Sequence, residues 1–306
     1  MNKLKGSACC LLAAVFWGVA FVAQQVGGDY VQPFTFTAAR YTLGGFVLLL
    51  IVLVKDAIVG KRQTVKPTRQ EKKEARFRSL FGGLVCGLVL CVATNLQQVG
   101  LMYTTAGKSG FITSCYIILV PIIGIFLKRK CPFFVWISVV LAVVGLYFLC
   151  MSGGFGGFGK GEAITMGCSL AFACHITVID ASVRKADGVK IACVQTFTCA
   201  AASWALALVF ETVDLSTLLQ AYVPLLYTGI MSAGVAYTLQ ILGQKNLPPT
   251  VASLVMSVES VVSVIAAWLI LKQALTVREI IGCVIIFAAV LIAQLPQKKR
   301  VIKVAY

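Results

Sequence analysis

The sequence predicts an all-α polytopic membrane protein with ten transmembrane helices arranged as two inverted five-helix repeats. Three observations carry that prediction. The 306-residue chain is 59% hydrophobic and only 12% charged, with mean hydropathy +0.92, whereas a soluble domain carries about twice that charge. Its apolar residues gather in runs of about 18–23, enough for a helix to cross about 30 Å of hydrocarbon. Residues 92–100, VATNLQQVG, return 143 positions later as 235–243, VAYTLQILG. Val92/Val235, Ala93/Ala236, Leu96/Leu239, Gln97/Gln240 and Gly100/Gly243 are identical, and an echo at nearly half the chain length marks a duplicated unit.

The spans fall at approximately 7–26, 34–54, 79–100, 106–127, 133–151, 163–183, 191–210, 222–242, 250–271 and 277–295. The first follows Lys3 and Lys5 as a signal peptide would. It is long, lacks a clear small-residue cleavage site and is followed by further spans, so it reads as a retained helix. With the N-terminus in the cytoplasm, every basic residue except Arg40, Lys108, Lys160, Lys272 and Arg278 lies in an inner segment. That bias supports the ten-span count, a multi-pass protein of the inner or plasma membrane, and cytoplasmic termini at both ends. The net charge of +16 is therefore a topology signal, and nucleic acid is not expected as a partner.

Five spans per half is an odd number, so the second copy is inserted upside down relative to the first. The units are 1–152 and 163–306, joined by the Gly-rich outer linker 153–162. An inverted repeat puts a pseudo-two-fold axis in the membrane plane and lets two gates open in turn around one site. Gln97 then lies towards the outer face and Gln240 towards the inner one, as paired elements of two gates. The hydrophilic segment 55–78, with Lys72, Lys73, Arg76 and Arg78 beside Glu71 and Glu74, reads as a partly helical cytoplasmic connector. Gly83 and Gly87 form a close-packing GxxxG pair, and Gly44 and Gly45 also permit close approach.

Several chemistries are excluded. Gly154–Gly161 reads GFGGFGKG, but Gly161 stands where a phosphate loop needs Ser or Thr for magnesium. ATP-driven transport is therefore rejected. Twelve scattered cysteines show no CxxC or Cys/His spacing, so no metal, disulfide or cofactor is expected. No catalytic pair is visible either. A membrane-embedded enzyme acting on lipid would need paired catalysts near one interface, and a channel would need a continuous polar stripe.

Ionisable and polar groups within spans mark the transport path, because burying charge in hydrocarbon is costly. Glu259, near the middle of the ninth span, shares a face with Ala252, Met256, Ser263 and Ala266. It lines a path on this reading, or else holds neighbouring helices by hydrogen bonds. His175, the one histidine, is near mid-span and is either a proton carrier or a buried structural ring. Asp180, five residues on, is turned away from it and pairs with Arg184. Asn95, Gln97, Gln98, Gln195 and Gln240 suit a substrate or interhelical bonds. Tyr116 is the mate of Glu259 at the 143-residue offset, so the two are expected to face one axis. Arg40 is expected to snorkel outward, with anion binding as its alternative, and Lys108 behaves similarly. Trp17, Tyr41, Tyr103, Tyr116, Trp204 and Tyr237 offer ring faces for a cationic or aromatic cargo, or form the interfacial belt.

Segments across nearly the whole chain resemble the EamA-type branch of the drug/metabolite transporter superfamily. They are FWGVAFVAQQ (16–25), PFTFTAARYTLGG (33–45), LQQVGLMYTTAGKSGFITSCYIILVP (96–121), VAYTLQ (235–240) and PPTVASLVMSVESVVSVIAAWLIL (248–271). The resemblance implies ten helices in two inverted repeats, and secondary transport of small molecules, usually export. It also implies a central cavity lined by helices of both halves, including the third, fourth, eighth and ninth. The family often has proline after the ninth-span glutamate and a Leu-Gly-Glu pattern after that span. Here those positions read Glu259-Ser260 and Lys272-Gln273, so a kink in the ninth helix is not expected from proline. The combined reading is a secondary transporter, monomeric or homodimeric, with protons as the candidate coupling ion through Glu259 and His175. The path residues are Glu259, His175, Tyr116, Gln97, Gln240, Asn95 and Ser263.

Overall fold

The structure, a computed structural model, describes residues 3–62, 68–104, 106–129, 131–150, 159–184, 186–272 and 276–294, and no strand occurs among them. The elements are α1 (Lys3–Gly28), α2 (Pro33–Arg62), α3 (Arg69–Leu101), α4 (Ala106–Ser114), α5 (Tyr116–Phe126), α6 (Phe133–Cys150) and α7 (Lys160–Val183). They continue as α8 (Gly188–Phe210), α9 (Leu215–Gln220), α10 (Tyr222–Tyr227), a π-helical segment (Thr228–Ala236), α11 (Tyr237–Gln244), α12 (Pro249–Met256), α13 (Val258–Leu271) and α14 (Val277–Gln294). Among the described residues eight helical segments are long and apolar enough to cross a membrane, and Phe133–Phe148 and Ile280–Ala293 are shorter apolar helices. Large apolar side chains such as Phe46, Leu50, Phe126, Leu208, Val284 and Leu291 point outward, the surface a hydrocarbon solvent demands.

Local sequence sets the ends. The expected connector 55–78 is largely helical: α2 runs on to Arg62, and α3 starts at Arg69 behind a Thr-x-x-Glu capping box. Thr68 Oγ1 accepts from the Glu71 amide, and Glu71 Oε2 accepts from the Thr68 amide at 2.8 Å. Residues 63–67, and 153–158 of the Gly-rich linker, lie outside the described residues. The linker's last residues belong to α7, whose first turn is closed by the Gly159 amide donating to Glu162 Oε2 at 2.9 Å. That helix therefore begins three residues earlier than its apolar run suggested.

The helices of one half pack mainly on those of the other. α3 lies against α7 and α8, α2 against α8 and the π segment, α1 against α13 and α11, and α6 against α14. Gly83 and Gly87 make the α3–α8 approach possible. A Cβ on Gly87 would stand 2.5 Å from Thr198 Cβ and 2.6 Å from the Gln195 carbonyl oxygen, inside any tolerable contact. The echoed glycines play matching parts: Gly100 packs on Thr165 and Gly161 of α7, and Gly243 packs on Cys10 and Gly6 of α1.

Polar clasps close both ends of the bundle. At one end Lys55 pairs with Asp187 at 2.7 Å and Lys190 with Asp56 at 2.7 Å. There too the buried Asp180 lies between Arg129 (2.8 Å) and Arg184 (2.9 Å). At the other end Glu211 accepts from the Phe34 and Thr35 amides at 2.8 and 2.7 Å, a carboxylate on the N-terminus of α2.

Two helices are interrupted. α4 gives way to α5 at Cys115 (φ −60°, ψ −9°), and α12 to α13 at Ser257 (φ −62°, ψ −13°). At each break bonding tightens to i→i−3, as in Ile118 N–H to Cys115 O (3.0 Å) and Ser260 N–H to Ser257 O (3.1 Å). The helix over 249–271 thus breaks at Ser257 without a proline there. Hydroxyl back-bonds take its place, from Ser257 Oγ to Leu254 O and from Ser263 Oγ to Ser260 O, both 2.8 Å.

Candidate functional site

Tyr116 opens α5, and Glu259 is the second residue of α13, so each follows directly on one of the interruptions. The Tyr116 hydroxyl donates to Glu259 Oε1 at 2.9 Å across 143 positions of sequence. The pair is 4% and 5% exposed. Beside it, Ser114 and Ser260 share a 2.6 Å hydroxyl bond that ties α4 to α13. Gly18 brings α1 up to the same place, since a Cβ there would stand 2.7 Å from the Glu259 carbonyl oxygen.

Both Tyr116 and Glu259 line one cavity inside the bundle. α1 supplies Trp17, Phe21 and Gln24, α2 supplies Arg40, and α3 supplies Gln97. Thr113 of α4 and Phe172 and Ile176 of α7 contribute, with Ser232 of the π segment, Tyr237 and Gln240 of α11, and Met256 of α12. One wall is aromatic: the Trp17 and Tyr237 rings are 4.9 Å apart, and the Tyr41 hydroxyl donates to the Tyr237 oxygen at 3.0 Å.

Of the path residues expected from sequence, Glu259, Tyr116, Gln97 and Gln240 share this one cavity, and so do Trp17 and Tyr237 of the expected ring faces. His175, Asn95 and Ser263 are not among its lining residues. The His175 ring is fully buried, with Nε2 3.2 Å from Gln195 Oε1, and stands edge-on to Tyr237 at 6.0 Å. Asn95 Nδ2 donates to Cys91 O and Ser203 Oγ, both at 2.8 Å, which joins α3 to α8. Asp180 bonds Arg184 as its spacing predicts, and Arg129 as well. The side chain of Lys108 lies outside the described residues.

Arg40 departs from the snorkelling expectation. It is 2% exposed and lines the cavity, with its Cζ 5.0 Å from the Tyr41 ring centre and 5.9 Å from that of Phe36. Rings at i+1 and i−4 hold the guanidinium inside, where a snorkelling side chain would have had to thread past them to water. Gln24 is a lining residue absent from the sequence expectations, although Trp17, Phe21 and Gln24 at i, i+4 and i+7 share one helical face. Four buried polar atoms of this lining have no hydrogen-bond partner among the described residues: Trp17 Nε1, Gln24 Oε1, Arg40 Nε and Gln240 Oε1. Among the described residues no group of three or more His, Cys, Asp or Glu is placed to hold a metal ion.

Comparison with known proteins gives the following. The EamA-like transporter family matches residues 4–151 and again residues 159–294. An uncharacterized transporter of Archaeoglobus fulgidus is 29% identical over 290 residues, covering 93% of this chain and 84% of that protein. The uncharacterized transporter YoaV of Bacillus subtilis is 21% identical over 285 residues, 89% of this chain and 90% of its own length. A solved crystal structure superposes with TM-score 0.76 at 18% identity, over 96% of this chain and 98% of that one, so the fold is shared.

Proposed function

This chain belongs to the EamA-like transporter family and is a multi-pass membrane transporter of the drug/metabolite type; from that premise we propose that it exports a small molecule across the inner or plasma membrane by alternating access. The observation that carries this reading is the buried Tyr116–Glu259 pair in a cavity lined from both halves of the chain. A site built at the meeting of two halves, on broken helices, is the arrangement that lets each end of a carrier open in turn.

Ten crossings in two inverted units, 1–152 and 163–306, account for the packing. Exchanging the halves turns the α3–α7 contact into α11–α1, and the α3–α8 contact into the π segment on α2. The interruption at Cys115 becomes that at Ser257. With the Lys55–Asp187 and Arg129–Asp180 end in the cytoplasm, both termini are cytoplasmic, and breaking those clasps opens the inner gate. Glu259 carries the coupling proton, because it is the acidic residue of the cavity lining.

Proteoliposomes preloaded with a cell metabolite extract test the reading. Saturable, counterflow-stimulated efflux of a defined solute, read by mass spectrometry, is expected, with proton dependence lost in Glu259→Gln. Ohmic current through the protein would replace the carrier with a channel. Unchanged proton dependence in Glu259→Gln would remove Glu259 from coupling.

A further inference from the structure

We infer that Arg40 is the recognition point for the substrate, and that the substrate is a monocarboxylate with an apolar body. The inference rests on the carrier reading above for its biological use, but its geometry stands apart from it.

Arg40 carries a fixed positive charge inside the bundle, 2% exposed, and no carboxylate pairs with it among the described residues. Its Nε has no hydrogen-bond partner among the described residues, and its Cζ lies 5.0 Å from the Tyr41 ring centre and 5.9 Å from that of Phe36. A cation so placed is expensive, because ring faces offset only part of the lost hydration. Structural arginines in membrane interiors are satisfied by carboxylates or carbonyls. Here the donors instead belong to a residue that lines the cavity, so the partner that completes them is what the cavity receives.

The rest of the lining defines that partner. A planar guanidinium fork fits a carboxylate with two parallel bonds. Trp17 Nε1, a second unpartnered donor in the same lining, suits the same acceptor-rich group. One arginine and one glutamate share the cavity, so a dianion would meet one cation and one carboxylate, and a single negative charge is the better match. Phe21, Phe172, Ile176 and Met256 offer the remaining surface to an apolar body.

Three probes of one shape decide the matter on purified full-length protein in detergent: phenylacetate, its neutral amide and the cation phenethylamine. Phenylacetate is expected to raise the unfolding temperature, and the other two to leave it within error. Its Kd, read from tryptophan fluorescence, is expected to weaken at least about tenfold in Arg40→Gln, the scale of losing a charged hydrogen bond. Arg40→Lys keeps the charge without the fork and binds with intermediate strength. The inference is overturned by a shift from the amide equal to that from the acid, by no shift from the acid, or by unchanged acid affinity in either variant. Should Arg40→Gln not fold, acid against amide on the natural protein and the lysine variant still decide. Arg40-dependent acid binding without counterflow of any solute would keep the anion site and sink the carrier. Counterflow of phenethylamine but not phenylacetate would keep the carrier and sink the anion site.

Discussion

Replacing Tyr116 by phenylalanine removes an oxygen atom that donates to Glu259. The hydroxyl is 2.9 Å from Glu259 Oε1, and both residues are at most 5% exposed, so the bond is sheltered from bulk solvent. Hydrogen bonds to charged groups contribute about 1.5–3 kcal/mol, while interhelical bonds within bilayers average about 0.6 and reach about 1.7 kcal/mol. The two ranges overlap at about 1.5–1.7 kcal/mol, and a coupling of about that size between the two side chains is expected. A double-mutant cycle measures it, with Tyr116→Phe, Glu259→Leu and the double variant unfolded reversibly in mixed micelles. Leucine keeps bulk at 259 but neither accepts nor donates. Additivity within about 0.3 kcal/mol would refute the reasoning, because independent sites behave that way and bonded ones do not.

Four further outcomes are expected. Gly87→Ala drives a methyl into Thr198 and the Gln195 carbonyl and costs about 1–3 kcal/mol. Gly167→Ala, whose nearest neighbour would be Leu96 Cδ1 at 3.6 Å, is neutral or stabilising; thermal unfolding of the two variants checks both. Arg129→Gln, which strips the interhelical partner from the 2%-exposed Asp180 side chain, destabilises more than Arg184→Gln; Arg184 is 63% exposed at i,i+4, a pair of about 0.3–0.5 kcal/mol. Equal losses in thermal midpoint would contradict that order. Burial pushes the Asp187 carboxyl up, but Lys55, the Val189 amide and Lys190 outweigh it and hold it below its ordinary 3.8. A folded-state value below the unfolded one stabilises above the unfolded value and is lost as pH falls through the folded one. Acid melting below about pH 4 should therefore be shallower in Asp187→Asn, and identical curves would show that the Lys55 clasp contributes nothing.

Much of this architecture was legible beforehand because hydrocarbon is an unforgiving solvent. The spans announce themselves in apolar runs, and the offset that pairs Gln97 with Gln240 also pairs Tyr116 with Glu259, which prove to be hydrogen-bonded. Burial of Arg40 was harder to read. Snorkelling depends on where the neighbouring rings point, although Phe36 at i−4 was a usable sign. The break at Ser257 was hidden because proline is the breaker sequences advertise, and serine hydroxyls bend a helix only once they choose their own carbonyls. His175 and Asn95 show the opposite failure: their types suit chemistry, and only packing against Gln195 and Ser203 reveals where their bonds go.

The packing of α1 on α13, of α3 on α7 and α8, and of α6 on α14 also bears on biogenesis. Helices synthesised first find their main neighbours among helices synthesised last, so membrane insertion and folding are separate events in time. Until the ribosome has delivered α7 onward, Arg40, Gln97 and Tyr116 sit in the bilayer without the walls that later enclose them. Such an intermediate is a natural client for insertion chaperones and quality-control proteases. Residues 1–152 and 153–306 expressed as separate chains should each be degraded alone and rescue one another when made together.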